Sequence, residues 1–183
     1  MNTSTQLWLT ESAQDFMFSA AAQAHPNETG GILIGVYQKG HPWVTKVIEV
    51  PTSDRGRSHF RLPAGVDHSA VATARMQDPR LGYLGDWHSH PHDVGHSPRD
   101  LATLALISVR SPLQPNPTQI VVRKANHGYT LDARRLVMVS VKSCSITLTG
   151  GLPELEPPSG ATTPSSEFPS SATDTQEEVP DEP

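Results

Sequence analysis

YLGDWHSHPHDVGHSPRDLATLALISV, residues 83–109, changes its side-chain period halfway along. From Tyr83 to His90 the pattern suits a strand, and Pro91 stops it. After a polar turn a helix starts. Ser97 suits the N-cap, Pro98 the first helical position and Asp100 the third, which together make a capping box. Leu101, Leu104 and Ala105 then open a buried face. In a strand, residues i and i+2 share a face and lie roughly 6.6 Å apart along the chain. His88 and His90 therefore lean the same way, while Trp87 and Ser89 point to the other side, where Trp87 suits a core.

Working outward, ESAQDFMFSAAAQA (11–24) reads as a helix stopped by His25-Pro26. GILIGVYQ (31–38) and HPWVTKVIEV (41–50) read as strands joined by a tight Lys39-Gly40 turn. SHFRL (58–62) is a candidate short strand. GVDHSAVATARMQ (65–77) spaces Val66, Ala70 and Ala74 as a helix does. TQIVVRK and GYTLD flank a turn at Asn126-His127-Gly128, as in a hairpin. LVMVSVKSCSITL (136–148) reads as one last long strand. No βαβαβ rhythm runs through the chain. The expected fold class is α/β, with a single mixed, largely antiparallel sheet flanked by helices.

Composition narrows the chemistry. A single cysteine, Cys144, excludes an internal disulfide and a cysteine-based zinc knuckle, so His and carboxylates must hold any metal. No apolar run is long enough to span a membrane, and the first residues lack a secretory pattern. The expected location is cytoplasmic, with no membrane partner. The net charge is −5, but eight acids lie in 151–183, which carry no Lys or Arg; residues 1–150 are about +3. No basic cluster with interleaved aromatics points to nucleic acid, so none is expected as a partner. The expected domain is 1–150. The Pro-, Ser-, Thr- and acid-rich 151–183 is expected to be a disordered tail, acting as a solubilising spacer or as a docking or tethering peptide centred on Phe168 or the acidic end.

Nine histidines in 183 residues make a chance His-x-His pair ordinary, so the pair alone is weak. Ser97 and Asp100 are fully explained as a helix start. The two readings are compatible, because a helix fixed just after the His pair aims its first-turn carboxylate back toward the strand end. Asp100 would then complete a His₂Asp set with an open fourth position, the catalytic rather than the structural zinc pattern. His92 and His96 are expected to be solvated in the polar turn, with an approach to the metal or substrate as the alternative. Glu28 precedes a double glycine, a mark of close backbone approach, and is either a solvated loop carboxylate or a general base.

NETGGILIG (27–35), followed far downstream by LGDWHSHP and SPRD, resembles the JAMM/MPN metalloprotease family, in particular its small prokaryotic members. The likeness covers roughly residues 10–145. It implies a cytidine deaminase-like architecture and one Zn²⁺ held by His88, His90 and Asp100. It also implies Glu28 as general base for the attacking water and Ser97 as oxyanion partner. The implied reaction is cleavage of a peptide or isopeptide bond after the C-terminal glycine of a ubiquitin-like protein. Activating and conjugating enzymes of the same system are implied as possible partners, and some such systems act in antiphage defence. The turn between His90 and Ser97 is one residue shorter than is usual in the family. Two other function classes fit the residues less well. A non-catalytic MPN scaffold normally lacks some of the five residues, all of which are present here. A zinc phosphoesterase calls for cations or a second metal, and Arg99 is the one basic residue within the motif.

Overall fold

The computed structural model describes residues 5–110 and 116–151. The element order is β1 (Thr5–Thr10), α1 (Glu11–Ala24), β2 (Gly30–Gln38), β3 (His41–Glu49), α2 (Val66–Gln77) and β4 (Gly82–His90), then α3 (Pro98–Arg110), β5 (Thr118–Ala125), β6 (Gly128–Val137) and β7 (Ser140–Thr149). The expected tail, 151–183, lies outside the described residues apart from Gly151.

The expectation of an open sheet flanked by helices is overturned. The strands close into a seven-stranded mixed barrel in the order β1-β3-β2-β4-β5-β6-β7. Pairing is parallel for β1/β3, β1/β7 and β4/β5, and antiparallel elsewhere. Closure depends on β1, TQLWLT, a stretch too short and polar to be read as a strand. It pairs along its whole length with Cys144–Thr149 of β7 and also with β3, so the two edges of an open sheet are joined and no edge is left there. The last long strand is likewise corrected. Met138 adopts a left-handed φ of 56°, which ends β6 and turns the chain into β7. SHFRL forms only an isolated bridge between Arg55 and Phe60.

Alternation along the strands separates two cores. Leu7, Leu9, Leu33, Val44, Leu84, Trp87, Ile120 and Val122 face inward, joined by Ala13, Met17, Ala20 and Ala21 of α1. α1 begins at Thr10, whose Oγ1 accepts from the Ala13 N–H, an N-cap that removes one orphan donor. Ile32, Ile34 and Leu81 face the other way, under Ala74 of α2, with Ala70, Val71 and Tyr83 packed around them. Trp87 is fully buried, and truncating it to Ala would cost about 3–5 kcal/mol.

A bulge on β4 sets which residues share the outer face. Leu33 pairs with Gly85 and Ile34 with Tyr83, leaving Leu84 as the extra residue. Gly85 sits at φ 144°, and a Cβ there would lie 1.7 Å from the Thr118 carbonyl oxygen, so only glycine lets β5 approach. Beyond the bulge, Asp86, His88 and His90 line up on the outer face beside Tyr83.

Candidate metal centre

β4 delivers His88 and His90 to one spot, as their spacing requires, and both are buried. Their Nε2 atoms lie 3.0 Å apart. The Asp100 carboxylate reaches them from the first turn of α3, with Oδ1 3.4 Å from His88 Nε2 and Oδ2 3.6 Å from His90 Nε2. Tetrahedral ligands about 2.0 Å from a common zinc would stand roughly 3.3 Å apart, so these three side chains have the separations of a ligand triad. Among the described residues this is the one group of three His, Cys, Asp or Glu side chains clustered tightly enough to hold an ion. The shortened turn between His90 and Ser97 does not prevent Asp100 from arriving.

The protonation pattern suits a cation. The Val94 carbonyl can only accept, so His90 Nδ1, 2.9 Å away, carries the proton and donates to it. That leaves the Nε2 lone pair pointing into the centre, the arrangement in which an outer partner fixes the tautomer of a metal ligand. Burial, helped by the neighbouring His88, pushes the His90 imidazole down, toward its neutral form. For Asp100, burial pushes the carboxyl up. The hydrogen bond and charge of His88, with two bonds involving Ser97, outweigh it and hold the group well below the usual carboxylate range.

Ser97 and Asp100 do form the reciprocal capping box. The Ser97 N–H donates to Asp100 Oδ2 at 2.6 Å, and the Asp100 N–H donates to Ser97 Oγ at 3.2 Å. The same geometry aims the carboxylate at the histidines, so the helix start also places a candidate metal ligand.

Glu28 comes from far upstream and is carried in by backbone contacts. The Ser89 N–H donates to the Thr29 carbonyl at 2.7 Å, and the Thr29 N–H donates to Ser89 Oγ at 3.0 Å. The Glu28 N–H donates to the Gly56 carbonyl at 2.7 Å. Gly30 then lies flat against β4, where a Cβ would fall 2.4 Å from the Trp87 oxygen and 2.9 Å from His88 Cβ. Glu28 is only 6% exposed. Its carboxyl is pushed from 4.5 up to about 7, chiefly by burial; His88 and Arg99 pull it down and Asp100 pushes it up.

A cavity of about 270 Å³ opens beside these groups. Glu28, His88, His90, Ser97 and Asp100 all line it, so the structure brings together the five residues expected from the sequence. His92 is exposed. His96, expected to be solvated, is not: its side chain is 2% exposed and its Nδ1 lies 3.2 Å from Asp132 Oδ2. The His96 N–H also points to that oxygen, at 3.4 Å, which ties the turn to β6. Residues that the sequence reading did not single out also line the cavity, among them Arg57, Phe60 and Leu62 from the 51–65 connection and Gln119 from β5. No local pattern marks them, since they reach the site only through strand pairing and loop placement.

Residues 10–137 match the family described as prokaryotic homologs of the JAB domain, and the chain belongs to that family. A Sinorhizobium fredii protein named a probable metalloprotease is 29% identical over 121 residues, covering 63% of this chain and 73% of the relative. An Escherichia coli protein named a CD-NTase/cGAS isopeptidase is 35% identical over 72 residues, covering 38% of this chain and 46% of that relative. The chain therefore spans under half the length of the second relative. The solution structure of a Desulfitobacterium hafniense protein shares the fold, with a TM-score of 0.60 at 23% identity, over 80% of this chain and 95% of that one. No described helix is long and apolar enough to cross a membrane.

Proposed function

We propose that this chain is a zinc-dependent hydrolase that cleaves a peptide or isopeptide bond after the C-terminal glycine of a ubiquitin-like protein. The carrying observation is the triad of side chains His88, His90 and Asp100, whose polar atoms stand 3.0 to 3.6 Å apart, with a buried carboxyl beside it. Membership of the JAB family and relatives named as metalloprotease and isopeptidase support a hydrolase role and the class of bond.

His88, His90 and Asp100 would hold one Zn²⁺, and a bound zinc ion supplies Lewis acidity that lowers the pKa of water and polarises a carbonyl. The remaining work falls to the chain. Burial lifts the Glu28 carboxyl to about 7 in the metal-free chain, and such a group can take a proton from the attacking water and later give it to the departing amine. Burial that raises its pKa is thus the source of its use as both base and acid. Ser97 Oγ accepts from the Asp100 N–H, and its hydroxyl proton would turn from the Asp100 carboxylate to the oxygen that gains charge as the carbonyl is attacked. The Val94 carbonyl keeps His90 in the tautomer that presents Nε2. Activating and conjugating enzymes of the same ubiquitin-like system are the partners this reading implies.

The test combines zinc content with turnover. Protein purified without chelator or affinity tag should carry about one zinc per chain by mass spectrometry. It should also release a fluorogenic amine from peptides ending in Gly-Gly. Chelation should stop turnover, and Glu28→Gln should stop it while retaining zinc. A protein that binds no zinc after reconstitution, or cleavage indifferent to Glu28→Gln, would sink the reading.

A further inference from the structure

We propose that Asp86 of β4 and Gln119 of β5, walled by Phe60 and Leu62, form a subsite that takes a cationic side chain, arginine or lysine, of the substrate segment beside the cleaved bond. The proposal rests on the hydrolase reading for its placement and adds the residue class that the site selects.

Asp86 and Gln119 are register partners in the parallel β4/β5 pair, so their side chains leave the same face together. That face is the one bearing His88, two residues on, and both side chains line the cavity with the metal triad. Asp86 accepts from the Tyr83 hydroxyl at 2.6 Å. No Lys, Arg or His forms an ion pair with it among the described residues. Gln119 is 3% exposed, and its Oε1 is buried with no hydrogen-bond partner.

A carboxylate drawn out of water without a close ion-pair partner is costly, and so is a buried amide oxygen without a donor. Both groups call for further donors, since Asp86 is held by the neutral Tyr83 hydroxyl and Gln119 Oε1 has no donor. A guanidinium or ammonium meets the two at once and restores charge balance, which a single backbone N–H does not. Arginine fits best, since its fork of N–H groups can span a carboxylate and a neighbouring amide oxygen. Phe60 and Leu62 offer apolar surface for the alkyl stem leading to the charge. Arg57 and Arg99 line the same cavity but are exposed, and neither pairs with Asp86.

The test uses the full chain carrying Glu28→Gln and loaded with zinc, so that binding is read without turnover. Fluorescein-labelled hexapeptides ending in Gly-Gly carry Arg, Lys, Leu or Glu at each upstream position in turn, and affinity is read by anisotropy. At one position Arg and Lys should bind about ten- to a hundredfold more tightly than Leu or Glu, the span of a charge-assisted contact. Adding Asp86→Asn should erase that preference, and Gln119→Leu should reduce it. Thermal melts verify that each variant folds. Equal binding of all four peptides, no binding of any, a preference for Glu, or an Arg preference that survives Asp86→Asn would each overturn the subsite. Failure of the hydrolase reading looks different, because zinc-loaded wild-type chain would then cleave no fluorogenic Gly-Gly peptide while the cation preference in binding persisted.

Discussion

Glu28→Gln separates the two consequences of burying a carboxyl beside the triad. In the folded chain without metal the Glu28 carboxyl stands at about 7 against 4.5 ordinarily. At roughly 1.4 kcal/mol per pH unit the difference is equivalent to about 3 kcal/mol, and water at the cavity mouth reduces it to about 1–2 kcal/mol. The sign follows from proton counting. Between pH 4.5 and about 7 the folded state holds a proton that the unfolded state has lost, so this group's contribution to stability declines as pH rises. Above about 7 both states are ionised and the penalty is complete. Glutamine has the same shape and no charge, so it escapes the penalty. In chelator-treated protein the variant should melt with wild type near pH 4.5. Above pH 7 it should melt higher by about 2–8 °C, taking about 2–4 °C per kcal/mol for a domain of this size. Calorimetry of the two proteins across that range reads the difference directly, and other titrating groups cancel. A difference that stays flat with pH, or a variant that melts lower at pH 8, would refute the claim that desolvation governs Glu28.

Three further outcomes follow from the same geometry. Asp100→Ala removes a proposed ligand and should lower zinc from about one per chain to a small fraction, measured by mass spectrometry; full retention of zinc would exclude Asp100 as a ligand. Gly30→Ala places a methyl 2.4 Å from the Trp87 oxygen, so β2 and β4 must part; the expected cost is about 1–3 kcal/mol in a thermal melt, and an unchanged melting temperature would contradict the close approach. Ser97→Ala loses the cap acceptor, costing about 1 kcal/mol of stability, and should also lower kcat about 10²- to 10³-fold if the hydroxyl meets the developing oxyanion. A stability loss with kcat intact would confine Ser97 to the capping box.

The chain's own order of residues determined the parts of the site that lie within a few positions of one another. His88 and His90 share a face because strand side chains alternate, and Asp100 points back because a capping box fixes a helix start. Both rules act over two or three residues and need no tertiary contact. Tertiary structure decided the rest. TQLWLT became a barrel-closing strand only because β7 and β3 offered it partners, and nothing inside six residues encodes that pairing. His96 went from an expected solvated position to a buried one because Asp132, thirty-six residues away, waits on β6. Glu28 reaches the histidines through the Thr29–Ser89 bonds, and Asp86 faces Gln119 through the β4/β5 register. Period and capping are set by local sterics and local hydrogen bonds, whereas register and closure are set by which distant backbones find one another, and that choice is made by the whole core together.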